Sequence, residues 1–233
     1  MVKMGPWFEQ AWKIISEDVV QWFLIGLVAT LIMGAAYCIP IAGLWLAGPI
    51  NVGVILAIRA RWNGQRPDIN HLWEGFQFTG VAGLYLLLYW VLVSVGLLLC
   101  IIPGFILAAW WCLALIVIHE EGLGAWEAMQ RSKELVSKDL WNWLLLIVVM
   151  GLGYSVVSMV PVIGGAVGFV FIQIVLFIGY KAVAHGETVE SMATPPGTPP
   201  TPGAAPPGMP PTTPPPGGTP PDAPPPPSGG TQG

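Results

Sequence analysis

Charge is scarce in this chain: 9% of its residues are Asp, Glu, Lys or Arg and 54% are hydrophobic, whereas a soluble globular domain carries about 25% charged residues. Water is therefore excluded as the solvent for most of the molecule. Cysteine is scarce too. Cys38, Cys100 and Cys112 are the only three, too few and too apolar in setting for a disulfide framework. Cys38 and Cys100 lie near equivalent turns, so a bridge is the alternative to the preferred reading of small buried apolar residues. The first eighteen residues carry Lys3, Glu9, Lys13, Glu17 and Asp18 in place of the apolar core and cleavage site of a secretory signal. The first apolar segment is accordingly expected to act as a retained insertion signal.

Chemical signatures are missing as well. There is no Gly-x-Ser-x-Gly, HExxH, phosphate loop or nucleotide fingerprint, and no basic patch interleaved with aromatics of the kind that binds nucleic acid. None of the 13 acidic residues lies well inside an apolar run, which weighs against ion-coupled transport, because membrane-embedded charge is costly and kept for function. His119-Glu120-Glu121 is the one cluster of metal-capable side chains. Consecutive helical residues point in different directions and no second His or Cys lies nearby in sequence, so a hydrated helix end is expected there. His71, between Asp68 and Glu74, reads as a loop histidine. No catalytic residue, metal or cofactor is expected, and the chain is read as non-enzymatic.

What the sequence does contain is a series of apolar runs, each near the roughly 20 residues that a helix needs to cross a bilayer. They cover residues 19–39, 41–58, 79–102, 104–118, 141–160 and 162–180. Six spans in three hairpins result, an all-α polytopic bundle. The expected outer turns, Cys38-Ile39-Pro40-Ile41-Ala42-Gly43, Cys100-Ile101-Ile102-Pro103-Gly104 and Val160-Pro161-Val162-Ile163-Gly164, hold no charge; in each, proline is expected to end a helix and glycine to permit the reversal. The nine basic residues are Lys3, Lys13, Arg59, Arg61, Arg66, Arg131, Lys133, Lys138 and Lys181. All fall at the ends of the spans or in alternate gaps, so they share one side of the membrane, the cytoplasm by the positive-inside rule. Both termini are expected there, in a bacterial inner membrane.

Ahead of each hairpin stands a short aromatic and acidic segment: Phe8-Glu9-Gln10-Ala11-Trp12, Trp73-Glu74-Gly75-Phe76 and Trp126-Glu127-Ala128-Met129. In the first, Phe8, Ala11, Trp12, Ile15, Val19 and Trp22 recur at helical spacing, with Glu9, Lys13, Ser16 and Glu17 opposite, the pattern of an interfacial amphipathic helix. Trp12, Trp73 and Trp126 are the expected interfacial anchors. Glu127 with Arg131 and Glu134 with Lys138 are i,i+4 pairs in the favourable order. Interfacial helix, span, turn, span then repeats three times in one orientation, as parallel repeats. Residues 1–190 form the expected membrane domain. From 191 to 233 the composition turns to Pro, Gly, Thr and Ala with Asp222 the only charge, a cytoplasmic tail expected to be disordered and to serve as a spacer.

Polar groups at membrane depth are mild: Asn51, Ser94, Ser155, Ser158 and Gln173, with packing between helices their expected role. Pro49 and Asn51, flanked by Gly48 and Gly53, are expected to interrupt the second span, as a cavity or as a packed kink. Gly164 and Gly168 form a small-xxx-small step, for a contact within the chain or between protomers.

Asn63-Gly64-Gln65-Arg66-Pro67-Asp68 with Leu72-Trp73-Glu74-Gly75-Phe76 resembles the first cytoplasmic loop of a broad group of bacterial six-span proteins. Gly124-Ala125-Trp126-Glu127-Ala128-Met129-Gln130-Arg131-Ser132, through Leu135-Val136 to Trp141, is similar to that group's second loop. The group includes the membrane domain attached to some glycerophosphodiester phosphodiesterases, whose chemistry resides in a separate soluble barrel. The resemblance implies a membrane domain without esterase activity. Two functions follow as expectations: a non-enzymatic scaffold or assembly partner with protein partners on the cytoplasmic side, or a passive carrier or lipid-handling protein with its site at Pro49 and Asn51. Membrane lipids are expected partners under either.

Overall fold

A computed structural model describes residues 4–36, 38, 40–160 and 163–186. The described residues are mostly helical, with no strand among them. The expected tail, both termini and the turn at Pro161-Val162 lie outside the described residues.

The amphipathic α1 (Met4–Glu17) leads through a bend at Asp18 into α2 (Val19–Ala36), and α3 (Pro40–Trp62) follows. The short α4 (Asn70–Glu74) and a 3-10 turn (Gly75–Phe78) run into α5 (Thr79–Leu99). After Cys100 come α6 (Ile101–Trp111) and α7 (Ala114–Glu121), then α8 (Ala125–Ser137), α9 (Leu140–Val157) and α10 (Ile163–Ala184). By length and composition, five helical stretches among the described residues suffice to cross a membrane: Val19–Ala36, Asn70–Leu99, Ile102–Glu121, Leu140–Val157 and Ile163–Ala184.

The core centres on α3, where Ala47, Ile50, Val52, Val54, Ile55, Ala57 and Ile58 are all buried. It packs against α2, α4, α5, α7 and α10. Glycine permits the closest of these approaches. A Cβ on Gly53 would overlap the backbone of Leu72, one on Gly75 the carbonyl of Pro49, and one on Gly48 the backbone of Ala82. Pro49 does not interrupt the helix: α3 is continuous through it. Proline removes only one ladder bond, and the neighbouring backbones hold the segment from both sides.

Other expectations are revised. Pro40 opens α3 and Pro103 lies in the first turn of α6, where the missing N–H would have no intrahelical acceptor; they start helices rather than stand between them. The fourth run is two helices, parted at Cys112-Leu113. Helix α1 ends before Val19, and its buried stripe is Trp7, Ala11 and Ile15, with Trp12 63% exposed. Trp7 and Trp12 both fit helical spacing; the bundle selects Trp7 because its ring fills the space between Gly179 and Trp143. The indole of Trp22 donates to the Ile14 carbonyl at 3.1 Å and fixes the corner into α2. The three cysteines are free, and Cys38 and Cys100 are exposed rather than buried. Gly164 and Gly168 face Val157 and Tyr154 of α9, an internal contact.

Candidate functional site

Ion pairs gather the charged helix ends at one end of the bundle. Arg61, next to last in α3, pairs with Glu17 and with Asp18, the latter at 3.9 Å. Two residues earlier, Arg59 Nε lies 3.3 Å from Glu120 of α7, and Lys181 Nζ of α10 lies 2.7 Å from the same carboxylate. Arg59 Nη1 also stands 2.9 Å from His119 Nε2, while the ring of Phe78, just before α5, meets His119 edge-on at 5.4 Å. Glu121 accepts from Tyr180 at 3.2 Å and pairs with Arg131 of α8 at 3.4 Å. Helices α3, α7, α8 and α10 thus contribute to one cluster, with Phe78 from the turn before α5, and Arg61 ties the end of α1 beside it.

Glu120 corrects the expectation of a hydrated helix end. Its side chain is 8% exposed, and Lys181's is 14% exposed. Two cations, Arg59 and Lys181, stand against a carboxylate so placed and offset its lost hydration. Gly122, with φ +67°, ends α7 in the left-handed conformation that glycine adopts without a Cβ clash, and the chain turns back into α8. There Glu127 accepts from the Gly124 N–H at 3.4 Å. Arg131 reaches Glu121 and, at 3.3 Å, Glu134, in place of the expected Glu127–Arg131 pair. Partial burial works against its charge, but Glu121 and Glu134 hold its pKa above the ordinary arginine value.

Deeper in the bundle, Gln173 Nε2 donates to Asn51 Oδ1 at 2.6 Å, and Asn51 Nδ2 donates to the Ala47 carbonyl at 2.8 Å. Asn51 therefore joins α3 to α10 with both ends of its amide engaged. Ser155 and Ser158 instead donate to carbonyls of their own segment, Gly151 and Ser155. His71 packs its Nδ1 against the backbone of Asp68.

The break between α6 and α7 is sealed by side chains from elsewhere. Ser132 Oγ of α8 donates to the Trp110 carbonyl at 2.7 Å and accepts from Leu113 N–H at 3.2 Å. Tyr85 of α5 donates to the Trp111 carbonyl at 2.7 Å. Ser132 is fully buried, on a stripe with Ala125, Ala128, Met129, Leu135 and Val136 that docks α8 on the bundle. Its importance was readable only as a serine on the apolar face of an otherwise amphipathic helix.

Trp73 and Trp126 are each 57% exposed. Between α1, α9 and α10 the surface forms an apolar groove of about 320 Å³, walled by Phe8, Trp12, Tyr154, Val157, Gly168 and Phe171 among others. Among the described residues no group of three or more His, Cys, Asp or Glu is placed to hold a metal.

Comparison with known proteins gives no match to a family model, a curated protein or a solved structure.

Proposed function

We propose that the chain is a non-enzymatic integral protein of the bacterial inner membrane that serves as a scaffold or assembly partner on its cytoplasmic side. In this reading α2, α3, α5, the α6–α7 pair, α9 and α10 make six crossings in three hairpins. The 23 residues of α3 give about 34 Å of helix, enough for the sixth crossing. The charged end faces the cytoplasm by the positive-inside rule, with both termini there.

The observation that carries the reading is the buried Glu120 held between Arg59 and Lys181. Titratable groups that neutralise one another across helices make a clamp, not a poised acid or base, and a clamp at one end of a bundle makes a stiff base for other proteins. Trp73 and Trp126 stand out from that end and would anchor it at headgroup depth. Kinship with the bacterial six-span group belongs to the same reading: its two loop motifs include Gly75 and Ser132, both of which make packing contacts here.

Purification of the tagged chain in mild detergent tests this. A protein that co-purifies with the wild type and is lost from W73A/W126A or from a chain truncated after residue 190 supports the scaffold; recovery of lipid alone contradicts it. One observation favours the lipid-handling alternative, the groove between α1, α9 and α10, and moves its site there from Pro49 and Asn51, whose amide is engaged by neighbours.

A further inference from the structure

Nothing in the local sequence calls for a break at Cys112-Leu113. From Phe105 to Glu121 there is no proline and no glycine, and Cys112 and Leu113 both have right-handed helical φ and ψ. The interruption falls inside a stretch apolar enough to cross a membrane, where unsatisfied backbone groups are costly. Its cause is tertiary. The hydroxyl of Ser132 occupies both the Trp110 carbonyl and the Leu113 N–H, and that of Tyr85 occupies the Trp111 carbonyl. In an unbroken helix those two carbonyls would instead receive the amides of Ala114 and Leu115, four residues on.

We propose that α8 is a latch on a two-state membrane helix. While Ser132 sits in the break, α6 and α7 are held as separate helices; when α8 swings away, residues 101–121 close into one continuous helix. Both states pair the Trp110 and Trp111 carbonyls and the Leu113 N–H; the closed helix also pairs the Ala114 and Leu115 amides, a gain set against the contacts that α8 gives up, so a contact on α8 can decide between them. The outer face of α8 offers Trp126 for such a contact. Motion of a helix at the charged end is thereby converted into a change of shape within the membrane. Ser132 is a positioning residue in this device, and the inference does not depend on the scaffold reading.

Amide exchange at Ala114 and Leu115, measured by NMR on the full chain in lipid nanodiscs, tests the proposal. Helix fusion gives both amides new acceptors, so Ser132→Ala slows their exchange roughly fivefold or more, the factor for one net backbone hydrogen bond. Ser132→Thr, which keeps the hydroxyl, stays at the wild-type rate. Tyr85→Phe frees only the Trp111 carbonyl and slows Leu115 more than Ala114. Equal or faster exchange at both amides in a folded Ser132→Ala chain overturns the latch, because a merely structural serine leaves the break open when lost. Should that variant not fold, Tyr85→Phe decides by the same sign at Leu115.

Discussion

Lys181 Nζ lies 2.7 Å from the Glu120 carboxylate, both side chains largely withdrawn from solvent, although 61 residues separate them in the chain. Breaking such a pair from one side leaves an uncompensated charge. Glu120→Gln is expected to destabilise the protein by about 3–5 kcal/mol. Replacing both partners, E120Q/K181M, removes the stranded ammonium and costs less than E120Q alone. Thermal unfolding of the three proteins in one detergent orders them; a double variant weaker than E120Q contradicts the pairing.

Arg131 provides the contrast. It is 39% exposed beside Glu121 and Glu134, so solvent screens it, and Arg131→Ala is expected to cost at most about 1 kcal/mol. Its pKa is raised on folding, so its stabilisation is complete below the ordinary arginine range and is lost only as pH rises through the folded value. Across the neutral range the difference between wild type and R131A should stay flat, as denaturant unfolding at several pH values would reveal. Added salt should shrink it.

Close backbone approach predicts opposite signs for two glycine replacements. Gly75→Ala drives a methyl into the Pro49 carbonyl and the Gly53 backbone, and overpacking of this kind costs about 1–3 kcal/mol. Gly151, inside α9, has nothing within 4 Å of an added Cβ, so Gly151→Ala gains up to about 1 kcal/mol of helix propensity. Opposite shifts in unfolding temperature are the expected result.

The Asn51–Gln173 hydrogen bond behaves as a buried polar pair. Gln173 is 8% exposed, so Asn51→Leu alone leaves its amide without a partner and is expected to cost about 1–3 kcal/mol. N51L/Q173L, which removes both amides, is milder. A double-mutant cycle on unfolding free energy measures the coupling; additive effects would show that the two amides act independently.

The helical class and most long apolar helices could be read directly from the chain, because a bilayer-length run of Leu, Val and Ile has few other ways to satisfy its backbone. An interfacial helix at α8 was expected as well, but not the stripe around Ser132 by which it docks. Local pattern failed where distant groups decide. Glu120 looked like the end of a helix in water because Arg59 and Lys181, its partners, lie far off in sequence. Pro49 looked like a breaker, yet the glycines that suggested a break instead let α4 and α5 pack closely on α3. The real interruption, at Cys112-Leu113, carries no breaker at all, and depends on a serine 19 residues from Leu113. In α1 Ala11 and Ile15 of the expected face are buried, but the bundle takes Trp7 and leaves Trp12 exposed, a choice that helical spacing alone does not make.

One measurement bears most directly on the central claim, that the chain weaves through a bilayer with its ionised groups on one side. In a background lacking the native cysteines, Gln65→Cys and Ser137→Cys, both at exposed positions, are labelled with a membrane-impermeant thiol reagent in intact and in inverted vesicles. Both should label from the cytoplasmic face alone, while restored Cys38 and Cys100 label from the other; reaction of Gln65→Cys and Ser137→Cys from opposite faces would contradict it.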